Sequence, residues 1–159
     1  MFLPDVMEKY KTPVSVLVVI YTPDLQVLLL ERADHPGYWQ SVTGSQLQGE
    51  TLLQTAARET AEETGLDTAN FLLTDLNLLN KYEIFQEWRW RYAPGVTHNT
   101  EHAFSLLLPE LTSVTVSPRE HLRYTWLPQQ EAIKKVFSCS NAEAIRKLLP
   151  SVREHKKIV

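Results

Sequence analysis

The order of apolar and polar positions along the chain predicts strands that alternate with helices. Residues 13–21 are β-branched and nearly all apolar, which is typical of a strand buried on both faces. Residues 25–30 follow after a turn, so we expect these two strands to pair antiparallel. The segments with strand patterns are residues 13–21, 25–30, 38–43, 71–79, 82–91, 101–108, 114–116 and 122–127. We expect Gly44 to end the third segment, and a Pro94-Gly95 turn to join its two flanking strands in a hairpin.

Three segments have a helical period instead, at residues 51–64, 129–137 and 141–149. Gly65 directly follows the first and is the usual residue to close a helix. Strands flanked by three helices predict an α+β fold with a mixed sheet between helical layers. The 159 residues contain no visible repeat or linker, so a single domain is predicted over residues 1–159.

Composition and charge narrow the range of functions. The net charge of -3 gives no reason to expect nucleic-acid binding, and no apolar run is long enough to cross a bilayer. Cys139 is the only cysteine, so no internal disulfide can form and we expect a cytoplasmic location. A polyanionic small molecule would therefore need a metal ion or a few well-placed cations. Oligomeric state is left open.

The helix at residues 51–64 carries three glutamates on one face, Glu59, Glu62 and Glu63. Like charges at this spacing repel each other, and Arg58 is the only cation of the helix. A hard divalent cation would turn this repulsion into attraction, because Mg²⁺ prefers carboxylate oxygens. The helix alone favours a solvated acidic surface. The adjoining apolar face is expected to consist of Leu52, Leu53, Ala56, Ala57 and Ala61.

The residues around this helix follow a specific spacing. They are Gly44, Glu50, Arg58, Glu59, Glu62, Glu63, Gly65 and Leu66. This pattern resembles the signature of the Nudix hydrolases, G-x5-E-x7-R-E-U-x-E-E-x-G-U, in which U is a bulky aliphatic residue. Thr60 is the one departure from it. Because Thr60 is β-branched and faces the apolar side of the helix, we expect a small packing loss and intact chemistry.

The resemblance implies a fold, a cofactor and residue roles. It implies a Nudix α/β/α sandwich with a mixed β-sheet and a loop–helix–loop catalytic box, and the hydrolysis of a phosphoanhydride bond. By likeness to the family, Glu59 and Glu63 bind Mg²⁺, which Mn²⁺ can replace, with Glu62 close by. Arg58 is implied to orient Glu50. The backbone of Gly44 is implied to approach the metal or a phosphate.

Six segments outside the box carry a narrower resemblance, at residues 11–15, 31–32, 39–45, 82–85, 91–101 and 120–126. They resemble the Nudix enzymes of the folate pathway and imply a substrate site. Glu120 is implied to complete the metal site or to act as a base, and Lys11 and Arg32 to bind phosphates. The remaining candidate substrate-binding residues are Thr43, Tyr82, Glu83, Ile84 and Phe85 from these segments, and Ser138 from its position after a predicted helix. In a strand, Tyr82 and Ile84 face one way while Glu83 and Phe85 face the other, so only one pair would face the ligand.

Three functions remain open from the sequence. The first is hydrolysis of dihydroneopterin triphosphate to the monophosphate and pyrophosphate. The second is the same chemistry on dATP or another nucleoside triphosphate. The third is a Nudix-like domain that senses a ligand without catalysis. The complete set of box glutamates argues against the third, because a catalytically silent domain is free to lose them.

Overall fold

The computed structural model describes residues 10–150, in which seven strands form one mixed sheet and three α-helices pack against it. The strands are β1 (Val14–Tyr21), β2 (Gln26–Arg32), β3 (Trp39–Gln40), β4 (Val42–Ser45), β5 (Leu72–Glu83), β6 (His98–Leu107) and β7 (His121–Pro128). The helices are α1 (Leu52–Thr64), α2 (Gln129–Lys135) and α3 (Cys139–Arg146). Between residues 10 and 150, no helix combines the length and apolarity that a bilayer span requires. The predicted domain limits of 1 and 159 lie outside the described residues.

β1 is the central strand of the sheet. It pairs in parallel with β6 from Val14↔Thr100 to Tyr21↔Leu107, and β6 pairs antiparallel with β5. On its other side β1 pairs antiparallel with β4, and with β2 only at Tyr21↔Val27. β2 then carries β3 and β7, both antiparallel to it. Along this edge of β1 the sheet therefore splits into two branches, one through β4 and the other through β2.

Alternate residues of β1 belong to two separate cores. Val16 and Val18 pack in the cluster that contains Ala56 of α1, whereas Leu17 and Val19 pack in the cluster that contains residues of α2 and α3. Burial on both faces explains why this strand is apolar without alternation. The predicted strands at residues 13–21, 25–30 and 122–127 are confirmed as β1, β2 and β7.

The strand predicted at residues 82–91 is wrong. Its first two residues belong to β5, which ends at Glu83 opposite His98, the first residue of β6, so the ladder stops there. The chain continues into a 3₁₀ helix at Gln86–Arg91, which Arg89 holds by donating from Nε to a main-chain carbonyl at 3.0 Å. The β-propensity of the aromatic residues in this segment is overridden because none of the strands described between residues 10 and 150 pairs with residues 84–91.

Two other predicted features differ from the structure. Residues 114–116 are not a strand; Thr115 N donates to the carbonyl of Thr64 at 3.0 Å and ties the segment to the end of α1. Gly44 does not end its strand but lies inside β4, where it pairs with Val16 of β1. The turn at Pro94-Gly95 exists, and it connects the 3₁₀ helix to β6.

α1 begins and ends where its sequence signals predict. The Thr51 side chain accepts from Gln54 N, the Gln54 side chain accepts from Thr51 N, and Gly65 closes the helix with φ of 77°. The apolar face was predicted less well, because Leu53 and Ala61 are exposed. The buried residues are Thr55, Ala56, Thr60, Glu63 and Thr64. The buried face of the helix therefore contains polar as well as apolar side chains, including the carboxylate of Glu63.

Candidate active site

Glu59 and Glu63 lie one turn apart on α1 and meet beside β4. Glu63 is 2% exposed and accepts from the backbone N–H of Thr43. The Glu59 carboxyl group lies against Gly44, at a position that a β-carbon on residue 44 would occupy. Burial is the largest cause that raises the pKa of both carboxyl groups, and the nearby Glu59 raises that of Glu63 further. The sheet and the helix therefore hold two acids where their joint ionisation needs a compensating positive charge.

Arg58 connects this pair to the rest of the box. It donates to both carboxylate oxygens of Glu50 (2.6 and 3.0 Å), to Glu59 (2.8 Å) and to Glu62 (3.0 Å). It also donates to the carbonyl of Ser45 at 3.0 Å. The hydrogen bonds that Arg58 donates to Glu50 are the largest cause that lowers the pKa of Glu50, to about 2. The structure thus has the expected contact between Arg58 and Glu50.

Glu62 occupies a different position from the other two acids of the helix. Its side chain is 51% exposed, contacts Arg58 and lies outside the cleft described below. The shared face predicted for the three glutamates therefore divides into a buried Glu63, a largely buried Glu59 and a solvated Glu62. Glu62 balances the charge of Arg58 rather than meeting the cleft.

If the acids of the box bind a metal ion, Arg58→Lys is expected to lower kcat about tenfold to a hundredfold, the usual loss when a residue that orients metal ligands is changed. Lysine keeps the charge but cannot hold Glu50 bidentately while it also reaches Glu59 and the Ser45 carbonyl. The retained charge should limit the loss of thermal stability. Measuring kcat and Tm side by side checks this expectation. A large fall in Tm with unchanged specific activity would show that Arg58 stabilises the fold and does not support catalysis.

The donor set at Glu63 fits a hard divalent cation. Glu63 Oε1 is buried and has no hydrogen-bond partner among residues 10–150. His121 Nε2 lies 3.7 Å from it, but burial lowers the pKa of His121 to about 4, so the imidazole is neutral at pH 7 and supplies no charge. The carboxylate of Glu120 lies close enough to raise the pKa of Glu63. Within residues 10–150 no three acidic, histidine or cysteine side chains are already arranged as a ligand set.

A cleft of about 920 Å³ opens beside these acids. It brings together most of the site residues predicted from the sequence, namely Lys11, Arg32, Thr43, Gly44, Glu63, Tyr82, Glu83, Ile84, Phe85, Glu120 and Ser138. Glu50, Arg58, Glu59 and Glu62 do not line it. The box therefore forms one wall of the cleft, with its ion network behind that wall.

Three cations gather at one end of the cleft. Burial lowers the pKa of Lys11, and the charges of Arg91 and Arg32 lower it further. Arg32 and Arg91 both pair with Asp34, at 2.7 and 3.0 Å. A single carboxylate thus offsets two guanidinium groups, which leaves positive charge for an anionic ligand. Arg91 was not predicted as a site residue because the sequence pattern placed it in a strand. The arginines and tryptophans close together before the Pro-Gly turn were the sequence feature that could have indicated a binding segment.

Aromatic side chains form another wall of the cleft. Phe85 stacks on Trp88 at 5.1 Å between ring centroids, and Phe137 meets both rings edge-on at 6.3 Å. The Arg32 guanidinium lies 4.4 Å from the Trp88 ring centroid, so the aromatic wall adjoins the cations. Trp88 and Phe137 were not identified from the sequence, because the fold brings them together from distant segments.

Several predicted substrate contacts already have partners within the protein. Thr43 Oγ1 donates to the carbonyl of Val16 at 2.9 Å, and Ser138 caps α3 by accepting from Asn141 N. The Glu83 side chain is 66% exposed and pairs with Arg89 at 2.7 Å. These contacts leave oxygen lone pairs free, so substrate roles for these residues stay predictions.

The fold and the site can be compared with those of known protein families. A model of the NUDIX domain matches residues 11–148, and the chain belongs to the Nudix family. The family resemblance and the α+β Nudix fold with its mixed sheet are confirmed.

Two relatives and one solved structure are similar to the chain over most of its length. The chain is 47% identical over 143 residues to dihydroneopterin triphosphate diphosphatase of Escherichia coli strain K12, covering 88% of this chain and 94% of the relative. It is 43% identical to the Haemophilus influenzae protein of the same name, over 92% and 94% of the two chains. The solved E. coli dihydroneopterin triphosphate pyrophosphohydrolase superposes with a TM-score of 0.83 at 46% identity, covering 87% of this chain and 96% of that one.

Proposed function

We propose that this Nudix pyrophosphohydrolase uses water to convert dihydroneopterin triphosphate into dihydroneopterin monophosphate and pyrophosphate, as a step of folate biosynthesis. One observation carries the proposal. A single cleft is lined by Glu63 of the acid pair, by a cation cluster and by an aromatic wall, in a chain that matches almost the full length of relatives named for this substrate. A ring linked to a triphosphate needs all three surfaces.

The acid pair is proposed to hold a divalent cation. Glu59, Glu63 and Glu120 supply its oxygen ligands, and the small residue Gly44 leaves room for the Glu59 carboxyl group. Mg²⁺, or Mn²⁺ in its place, supplies positive charge that offsets the charge developing on the phosphate oxygens. Glu120 lies exposed at the rim of the cleft, where it completes the ligand set or accepts a proton from the attacking water.

The cations and aromatic rings are proposed to hold the two ends of the substrate. Lys11 and Arg32, joined by Arg91, bind the phosphate oxygens and orient the triphosphate toward the acids. The ring enters beside Phe85, which is partly exposed within the aromatic wall. Further contacts to the substrate are proposed for Thr43, Tyr82, Glu83, Ile84 and Ser138. The partner is thus a small-molecule triphosphate, and the expected cytoplasmic location is kept.

Product analysis on a panel of substrates tests this function. We expect dihydroneopterin triphosphate to have a higher kcat/KM than dATP, ATP and dinucleoside polyphosphates, and to release pyrophosphate rather than orthophosphate. Turnover should stop after exhaustive chelation and return with Mg²⁺, because the acid pair then regains its counter-charge. Preferred hydrolysis of dATP would favour the nucleotide alternative, and binding without turnover would favour the sensing domain. Full turnover in the chelated sample would contradict the metal mechanism.

A further inference from the structure

Two buried oxygen atoms in the wall of the cleft have no hydrogen-bond partner among residues 10–150. They belong to Asn99 and Glu101, which lie two positions apart on β6 and are 1% and 5% exposed. Residues i and i+2 of a strand share one face, and both side chains line the cleft. The Asn99 amide nitrogen donates to Ser15 Oγ at 2.7 Å and to the Tyr82 hydroxyl at 3.0 Å. The Asn99 oxygen and Glu101 Oε1 are therefore the atoms that a ligand can reach.

The surroundings of Glu101 supply no positive charge. It takes part in no ion pair among the described residues, and Ser140 is its hydrogen-bonding neighbour. The adjacent Tyr82 is uncharged at neutral pH, because burial is the largest cause that raises its pKa, to about 12. Burial also raises the pKa of Glu101. A carboxyl group that is buried without a cation takes up a proton rather than stay ionised, so Glu101 is expected to be a neutral carboxylic acid.

Glu101 lies away from the phosphate end of the cleft. The cation cluster is at that end, and none of its charges contributes to the pKa shift of Glu101. Glu101 instead neighbours Tyr82 and Ser140, and Ser140 follows Phe137 of the aromatic wall by three residues. A side chain in this position meets the ring of a triphosphate substrate rather than its phosphates.

A carboxylic acid differs from a carboxylate because its O–H group donates a hydrogen bond. Together with the Asn99 oxygen, a neutral Glu101 gives the wall of the cleft one donor and one acceptor at nearby positions of β6. The complementary edge of a ring is a nitrogen with a lone pair beside an exocyclic amino group. Dihydropterin has this edge at N1 and its 2-amino group, and adenine has it at N1 and its 6-amino group. The same two side chains therefore fit either ring.

We propose that Glu101 anchors the substrate as a neutral hydrogen-bond donor to a ring nitrogen, while the Asn99 oxygen accepts from the adjacent amino group. This inference deepens the proposed function and rests on it. It identifies the bound feature as a ring edge that pterins and adenine share, so the preference between them comes from the rest of the cleft. It assigns this role to Glu101 rather than Glu83, because Glu83 is solvated and already paired with Arg89.

The kinetic test compares the wild type with Glu101→Gln and Glu101→Leu on dihydroneopterin triphosphate and dATP. Glutamine keeps a neutral donor, so Glu101→Gln should hold kcat/KM within about threefold of the wild type for both substrates. Leucine removes the donor and leaves the ring nitrogen unpaired, so Glu101→Leu should lower kcat/KM about fivefold to a hundredfold for both. The loss should lie mainly in KM, because the ring is bound alike before and during reaction.

A substrate analogue identifies the ring atom that Glu101 contacts. In 1-deaza-dATP a C–H group replaces N1, so the wild type should use it about fivefold to a hundredfold less well than dATP. In Glu101→Leu the two nucleotides should differ by less than about threefold, because the partner of N1 is already absent. The matched controls are Glu143→Gln and Glu143→Leu, on the exposed side of α3, which should behave as the wild type on every substrate.

Infrared difference spectroscopy tests the protonation of Glu101 without any substrate. At neutral pH, the spectrum of the wild type minus that of Glu101→Gln should contain the carbonyl band of a protonated carboxyl group. The corresponding difference for Glu143→Gln should contain carboxylate bands, because that side chain is exposed. Carboxylate bands in the Glu101 difference would overturn the inference.

The kinetic outcomes separate this inference from folding and from the proposed substrate. Equal losses in Glu101→Gln and Glu101→Leu, no loss in Glu101→Leu, or equal use of dATP and 1-deaza-dATP by the wild type overturns it. If Glu101→Leu does not fold, the analogue with the wild type and the infrared measurement decide. If the wild type ignores dihydroneopterin triphosphate but cleaves dATP with the expected dependence on N1 and Glu101, the inference stands and the proposed substrate falls.

Discussion

Glu63→Gln is expected to lower kcat about a hundredfold or more, the usual effect of removing a group that supports transition-state electrostatics. The amide has the same shape but cannot supply the negative charge that a divalent cation needs. The same change should raise the Tm of the metal-free protein, because Glu63 is buried beside Glu59 and its Oε1 has no cation on it among residues 10–150. Lower activity together with higher stability is the pattern expected of a ligand site.

Thermal unfolding with chelator and with saturating Mg²⁺ checks this expectation alongside kcat. Mg²⁺ should raise the Tm of the wild type by mass action and raise that of Glu63→Gln much less. The matched control is Glu143→Gln on the exposed side of α3, which should keep the wild-type activity and the wild-type response to Mg²⁺. A near wild-type kcat in Glu63→Gln, or an equal stabilisation by Mg²⁺, would mean that the metal is held elsewhere.

The parts of the site that follow from the sequence are the local ones. The spacing of the box residues is enough to place Arg58 near Glu50, because α1 and the loop before it lie within one short segment with a capping box at Thr51. Helical periodicity also brings Glu59 and Glu63 together. It could not show which side of the helix meets the sheet, and so Leu53 was expected to be buried and is exposed.

The remaining wall of the cleft depends on long-range packing. Asn99 and Glu101 become neighbours of Ser15 only because β6 pairs in parallel with β1, a register that no local pattern encodes. Trp88 meets Phe137 because β5 stops and the chain turns over the sheet. For this reason the sequence predicts the residues of the box better than the shape of the aromatic and polar wall of the cleft.

Gly44→Ala is expected to lower kcat about a hundredfold, because an ångström-scale displacement of a catalytic group has this effect. A β-carbon at residue 44 would overlap the carboxyl group of Glu59, so that group has to move. The fold should tolerate the change. The overlapping atoms are the end of a flexible side chain, and the backbone of Gly44 does not have the positive φ that alanine disfavours. We therefore expect normal expression and a Tm close to that of the wild type.

A double-mutant cycle with Glu59→Ala separates the two ways in which Gly44 can act. If the added methyl group acts by displacing the Glu59 carboxyl group, Gly44→Ala should cause little further loss of kcat once that carboxyl group is absent. If Gly44 acts instead by letting a phosphate approach the backbone, the factor lost should be the same with and without Glu59. Equal factors would contradict the steric account, and a large fall in Tm would show that the change disrupts the pairing of β4 with β1. The overlap with Glu59 favours the first outcome, because at Gly44 the nearest heavy atoms to the added carbon all belong to that carboxyl group.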